Sequence, residues 1–171
     1  VTELTRSWAD FFQESICEVH DEDEAARLFE IYRDLYPPGY RDDFSVDCAV
    51  EDLGFIDQLS IDNPLNMKFY DTEEGETRFK LFHLGSALPL SDVIPILENL
   101  GAKTIEEHPY DLCLEGAEVW IHDFLLEMIS LSEDGIGSLR TIFEEAFRQI
   151  WRGGKENDSF NRLIPTATMD H

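Results

Sequence analysis

The sequence predicts an α+β fold, a small antiparallel sheet with helices on one face, flanked by helical segments at both ends. Three observations carry this. Apolar residues recur at three- and four-residue steps through the first fifty residues. Beyond Asp62-Asn63-Pro64 the period shortens to two. From there the segments follow in the order strand, strand, helix, strand, strand, helix.

The first helix carries Leu4, Trp8, Phe11, Phe12, Ile16 and Val19 as one stripe, with Thr2 or Thr5 as its cap. Asp21 or Asp23 opens a second, whose acidic first turn complements the helix dipole. Its stripe is Leu28, Ile31, Tyr32 and Leu35, and Pro37-Pro38-Gly39 ends it. Ser45 caps a third helix bearing Val46, Ala49, Val50 and Leu53. Trp and Phe stripes at this spacing are packing surfaces far more often than cofactor boxes.

Leu65, Met67 and Phe69 then alternate with Asn66, Lys68 and Tyr70, the pattern of a half-buried strand. After the polar turn 71–75, a second strand runs over 78–84, with Phe79 and Leu81 on one face and Phe82 and Leu84 on the other. Ser91 or Asp92 is expected to cap the next helix, with Pro95 within about its first turn. Val93, Ile96, Leu97 and Leu100 form its stripe, and Gly101 takes the left-handed C-terminal position. Two more strands follow over 102–112 and 118–128, joined as a hairpin through Leu114-Glu115-Gly116-Ala117. A last helix is expected from Ser138 through Trp151, stopped by Gly153-Gly154, with a separate helical segment opening at Glu156. Without its first strand this order is most of a ferredoxin-like unit. The strand over 65–71 can fill the missing position at the sheet edge.

The 171 residues are 43% hydrophobic and 12% aromatic, enough for a packed core. Net charge is −24, from 37 acidic against 13 basic residues. A surface this negative repels phosphate backbones and anionic lipid, which argues against nucleic-acid and membrane-surface roles. Its simplest reading is a solvated face; a docking face for a basic partner is the alternative. Cys17, Cys48 and Cys113 are far apart and odd in number, which suits reduced thiols in a cytoplasmic protein. No signal peptide opens the chain, no apolar run is long enough to span a bilayer, and the termini read as the ends of a piece of a longer chain.

Chemistry is sparse. The chain contains no G-x-G-x-x-G, P-loop, G-x-S-x-G or H-E-x-x-H pattern. His83, His108 and His122 fall on predicted strands, and His108 and His122 lie near-opposite across the hairpin with Cys113 nearby. A metal site can be drawn there, but strand histidines paired with a carboxylate or backbone are commoner. His122-Asp123 with Ser86 or Ser91 lacks any elbow or oxyanion signal for a hydrolase. Glu106 and Glu107 point to opposite faces and make poor acid/base partners. One binding feature remains: Gly85, Ser86, Ser91 and Asp92 border a strand-to-helix loop. Its backbone N–H groups could hold the carboxylate of an amino acid, and Asp92 could meet the ammonium group. Helix capping by Ser91 and Asp92 explains the same residues.

Phe79-Lys80-Leu81-Phe82 and the run from Gly85-Ser86-Ala87-Leu88-Pro89-Leu90-Ser91-Asp92 to Gly101 resemble the large bacterial NAD-specific glutamate dehydrogenases. Glu107-His108-Pro109-Tyr110, Trp120-Ile121-His122-Asp123-Phe124, Trp151-Arg152-Gly153 and Phe160-Asn161-Arg162-Leu163 do so too, and Tyr40-Arg41 with Ala49-Val50-Glu51-Asp52-Leu53 fits the helical part upstream. Pro165 and Thr166 depart from the pattern. The resemblance implies a helical segment over 1–62, an ACT-like domain over 63–132, and a C-terminal helical segment over 133–171 leading toward a catalytic domain. It also implies that NAD belongs to the parent enzyme and that no catalytic, cofactor or metal residue lies in this chain. The partners it implies are other domains of the same chain and further copies in a homo-oligomer, with an amino-acid effector at the Gly85 loop. The rival is a free-standing ferredoxin-like protein that binds a small ligand or is itself a small enzyme.

Overall fold

The computed structural model describes residues 7–114, 116–128 and 136–161, with side chains over 7–114, 116–128 and 141–153. Helices α1 (Trp8–Val19), α2 (Glu22–Tyr32), α3 (Pro38–Asp43) and α4 (Val46–Ile56) precede strands β1 (Leu65–Asp71) and β2 (Thr77–Leu84). Helix α5 (Leu90–Asn99), strands β3 (Ala102–Leu114) and β4 (Ala117–Met128) and helix α6 (Ile136–Asn161) follow. The strands form one antiparallel sheet in the order β1-β2-β4-β3, so β1 lies at the edge beside β2, as expected.

The backbone contacts gather into two units, each built from separated stretches of chain. The first holds α1 to α4 with 65–67, 80–88 and 107–123. Ser7 caps α1 through the Asp10 amide, and the Asp10 carboxylate returns the bond to the Ser7 N–H. The expected caps Thr2 and Thr5, and Leu4 of the stripe, lie outside the described residues. Asp21 caps α2 and Ser45 caps α4. The stripe of α1 is narrower than its sequence suggests: Phe12 and Ile16 are buried, while Phe11 and Val19 are exposed. Ile31 of α2 is likewise exposed, and Ala25 takes part in the core instead.

The Pro37-Pro38 pair does more than end a helix. α2 stops earlier, at Tyr32, and Pro38 opens α3 at a position where a missing N–H leaves no bond unmade. Between them Leu35 and Tyr36 turn into the core. Trp8 and Phe12 stack at 4.8 Å and Tyr36 and Tyr40 at 4.2 Å, and the Tyr36 hydroxyl donates to the Ala49 carbonyl at 2.7 Å. Phe82, Tyr110, Leu112, Val119 and Ile121 of the strands join this cluster. The Cys113 N–H donates to the Leu35 carbonyl at 2.9 Å, fixing one end of β3 to the turn between α2 and α3.

The second unit holds 68–79, 89–106 and the chain from 124 onward. Here Phe69 and Phe79 pack against Phe143 and Phe147 of α6, with ring centroids 4.9 to 5.4 Å apart for the contacts to Phe143 and Phe147. The Glu144 carboxylate accepts the Phe69 N–H at 2.7 Å, so a helix side chain holds a backbone donor of the edge strand β1. Gly101 has φ +90°, and its N–H closes the end of α5 on the Glu98 carbonyl at 3.0 Å.

Two expectations need correction. α5 begins at Leu90 with Pro89 at its N-cap, so neither Ser91 nor Asp92 caps it, and Pro95 lies inside the helix, beyond the first turn. α6 runs through Gly153-Gly154 to Asn161 as one helix of 26 residues, and the expected second segment is its continuation. A glycine costs a helix only ~1 kcal/mol relative to alanine. Burial of Phe143, Phe147 and Trp151 on the preceding turns outweighs that. Ser138, the cap expected for α6, lies inside the helix, and its side chain is outside the described ones.

Phe79→Ala should lower unfolding stability by about 3–5 kcal/mol, because it empties a ring-lined site that touches three other phenylalanines. Ile61→Ala, at a side chain 92% exposed, should change it by less than about 0.5 kcal/mol. Urea unfolding of the two variants checks both values, and equal losses would contradict this packing.

Candidate functional site

Two buried polar constellations stand out in the first unit. One centres on Lys80 of β2, 1% exposed, whose ammonium lies 2.8 Å from Oδ2 of Asp52, itself 0% exposed on α4. The Tyr40 hydroxyl donates to the same oxygen at 2.6 Å. The Lys80 Nζ also sits 3.9 Å from the centroid of the Phe44 ring and 5.8 Å from that of Tyr40. Burial pushes the Asp52 carboxyl above its usual range, against the pull of Lys80 and the Tyr40 hydrogen bond. Burial and the Asp52 charge drive the Tyr40 hydroxyl far above the ordinary phenol range, so it serves only as a neutral donor.

Sequence reading passed over this group, although two signals point to it. Lys80 shares a strand face with Phe82, and Asp52 falls among Ala49, Leu53 and Ile56 on the buried side of α4. An ammonium locked between a carboxylate, a phenol and the face of a phenyl ring has no room for a substrate. The group is a structural tie.

The second constellation is the one the sequence singled out. His122 of β4 is 2% exposed. Its Nδ1 lies 2.8 Å from Oε2 of Glu107 on β3, and its Nε2 accepts the Leu88 N–H at 3.0 Å. A ring nitrogen that accepts an amide proton carries none itself, so the imidazole is neutral with its proton on Nδ1, facing the carboxylate. Trp120 stacks on the ring at 6.1 Å.

The imagined near-opposite pairing of His108 with His122 does not occur: Glu107 is the partner, while His108 and Cys113 are exposed. Among the described residues no group of three or more His, Cys, Asp or Glu is arranged to hold a metal ion. Both ring nitrogens of His122 are occupied, so it offers no base to Ser86 or Ser91. Glu106 is exposed and Glu107 half-buried, as opposite faces of a strand require.

The loop residues are placed as follows. Gly85 has φ +122° and donates its N–H to the Glu118 carbonyl at 2.7 Å. The Ser86 carbonyl meets Nδ1 of His83 at 2.7 Å. Ser91 and Asp92 are exposed in the first turn of α5, and the Asp92 N–H reaches back to the Pro89 carbonyl at 3.0 Å. The Gly85, Leu88, Asp92 and Val93 amides thus have partners within the chain, and Pro89 has none to give.

A third polar group is peripheral. Arg27 bridges Glu24 at 2.8 Å and Asp57 at 2.7 Å, and the Tyr32 hydroxyl also donates to Asp57 at 2.7 Å. Partial burial pushes the Asp57 carboxyl up, but the Arg27 and Tyr32 hydrogen bonds outweigh it and hold the group below the usual carboxylate range.

Lys80→Ala should cost about 3–5 kcal/mol in urea unfolding, since it leaves Asp52 charged and buried without its cation. The triple variant K80M/D52L/Y40F removes every polar member of the group and should cost far less; an equal loss would show that the pair itself, and not its disruption, carries the stability. Asp57 behaves with the opposite pH sign to Asp52. A carboxyl whose folded pKa is depressed adds stability above its unfolded pKa and loses it as pH falls through the folded one. Asp57→Asn should therefore be less stable than the parent at pH 7, and the deficit should shrink below about pH 4. Thermal melts across that range check this.

Among the described residues no helix is long and apolar enough to cross a membrane. The family description "Glutamate dehydrogenase, ACT3 domain" matches residues 64–136, and "Glutamate dehydrogenase, helical motif 2" matches residues 15–59. Three curated relatives carry the name NAD-specific glutamate dehydrogenase. The Halomonas elongata protein is 42% identical over 173 residues, the Pseudomonas aeruginosa protein 39% over 173, and the Mycobacterium tuberculosis protein 27% over 176. Each alignment takes in 99% of this chain and 11% of the relative's length. The four-stranded sheet, the helices before it and these matches together identify the chain as a stretch of the NAD-specific glutamate dehydrogenase family, comprising its helical motif 2 and its ACT3 domain.

Proposed function

We propose that this chain is a non-catalytic assembly and regulatory module of a cytoplasmic enzyme that interconverts L-glutamate and 2-oxoglutarate with NAD. The observation that carries this reading is the match of 99% of the chain to 11% of the length of named dehydrogenases. In this reading the chain divides into a helical segment over 1–62, an ACT-like domain over 63–132 and a C-terminal helical segment over 133–171, with the family matches at 15–59 and 64–136 as support for the first two. NAD belongs to the parent enzyme in this reading, and the module's partners are other domains of the same chain and further copies of the assembly.

Assembly is favoured over amino-acid sensing by the state of the Gly85 loop. A carboxylate needs convergent amide donors. Here the Gly85 and Leu88 amides are bonded to Glu118 and His122, and those of Asp92 and Val93 to Pro89. The second reading, an amino-acid effector held near Gly85, Ser86, Ser91 and Asp92, is supported by the exposure of those residues at the start of α5.

The chain alone should produce no NADH from glutamate and NAD; turnover would overturn the non-catalytic reading. Titration with glutamate and aspartate, followed by calorimetry and amide NMR shifts, separates the two roles. Assembly predicts no saturable shift at residues 85–92, and a saturable one would favour the effector.

A further inference from the structure

The Leu88 contact has a consequence that neither assembly nor sensing requires. We propose that His122 is a proton-operated latch, holding the strand-to-helix loop only while its imidazole is neutral. At one end of that loop the Leu88 N–H donates to Nε2 of His122, and Leu88 itself is buried. Protonating Nε2 turns the acceptor into a donor facing a second donor. The hydrogen bond is then lost, and either the ring or residues 86–88 must move.

The surrounding groups separate this event from other titrations. Glu107 of β3 faces Nδ1, and that N–H donates to the carboxylate in both protonation states, so the Glu107 contact is kept when Nε2 takes up a proton. His83, at the end of β2, meets the Ser86 carbonyl through Nδ1. A carbonyl only accepts, so His83 carries its proton there whether neutral or charged, and its titration leaves the contact intact. Glu118 on β4 accepts the Trp120 indole N–H at 2.8 Å, and Asp123 points to the opposite face of the sheet from His122. Asp92 of α5 is exposed in the first turn of its helix. The bond from the Leu88 amide thus depends on the proton at His122.

The sign follows from linkage. The released loop binds one more proton than the engaged loop, so engagement is favoured as pH rises and weakens as pH falls. With one proton linked, the opening equilibrium grows about tenfold for each pH unit below the midpoint.

The test is hydrogen exchange and imidazole nitrogen NMR on the 171-residue chain from pH 8 to pH 5. At pH 8 the His122 ring should carry its single proton on Nδ1. On acidification, after correction for intrinsic exchange, Leu88 protection should fall about tenfold per pH unit, with the His122 midpoint, while Ile121 stays protected. His122→Gln keeps an acceptor that cannot titrate and should abolish that slope. Glu107→Gln removes the charge that favours the imidazolium and should move the midpoint to lower pH. A ring protonated on Nε2 at pH 8, or Leu88 protection that ignores the His122 titration, would overturn the latch. Should His122→Gln fail to fold, the unsubstituted chain decides the question by itself.

Discussion

A lysine ammonium can remain in the interior of this protein only where an anion and aromatic faces replace the water it gives up. Lys80 finds all of these in one place: Asp52 from α4, the Tyr40 ring from α3 and the Phe44 ring just after α3. That requirement fixes the register of β2. A slip of one residue would turn Lys80 to the other face of β2 and take its ammonium away from Asp52. Hydrophobic burial alone would not forbid the slip, because β2 carries buried apolar residues on both faces. The pair thus supplies directional information that the surrounding phenylalanines lack, and it does so although burial works against the Asp52 charge.

The same logic runs through the other polar groups on the strands. His122 joins β4 to β3 through Glu107 and to the loop between β2 and α5 through Leu88. Glu144 ties α6 to an amide of β1, and Asn66 donates its side-chain amide to the Phe55 carbonyl near the end of α4. Lys80, Asp52, His122, Glu107, Glu144 and Asn66 are each committed to a backbone or side-chain partner inside their own unit. An enzyme site needs polar groups that converge and remain available to a substrate. These groups converge on one another, which is the arrangement a scaffold requires.

Much of this was legible in the sequence. The change of period at Asn63-Pro64, the hairpin turns and Gly101 marked the sheet and its ends, because each depends on near neighbours in the chain. The run through Leu88, Pro89 and Leu90 marks a strand-to-helix loop, and the hold on Leu88 comes from His122, thirty-four residues away. Lys80 and Asp52 were missed for the same reason: a charged residue on an apolar face reads as an interruption until its partner is placed beside it. The α5 cap and the end of α6 failed differently. Ser91 and Asp92 are good caps and Gly153-Gly154 a good stop by local preference, but α5 begins at Leu90 and α6 continues through the glycines to Asn161.

Electrostatics inside and outside this chain act over different ranges. With −24 net charges its surface repels itself, and that term weakens as salt shortens the screening length. The Lys80–Asp52 pair lies where salt does not reach, so its geometric demand is unchanged when the surface is screened. An interaction that selects a strand register gains from lying in the screened-off interior, where a change of ionic strength leaves it unaltered. The excess acids are then free to keep unrelated anionic surfaces away.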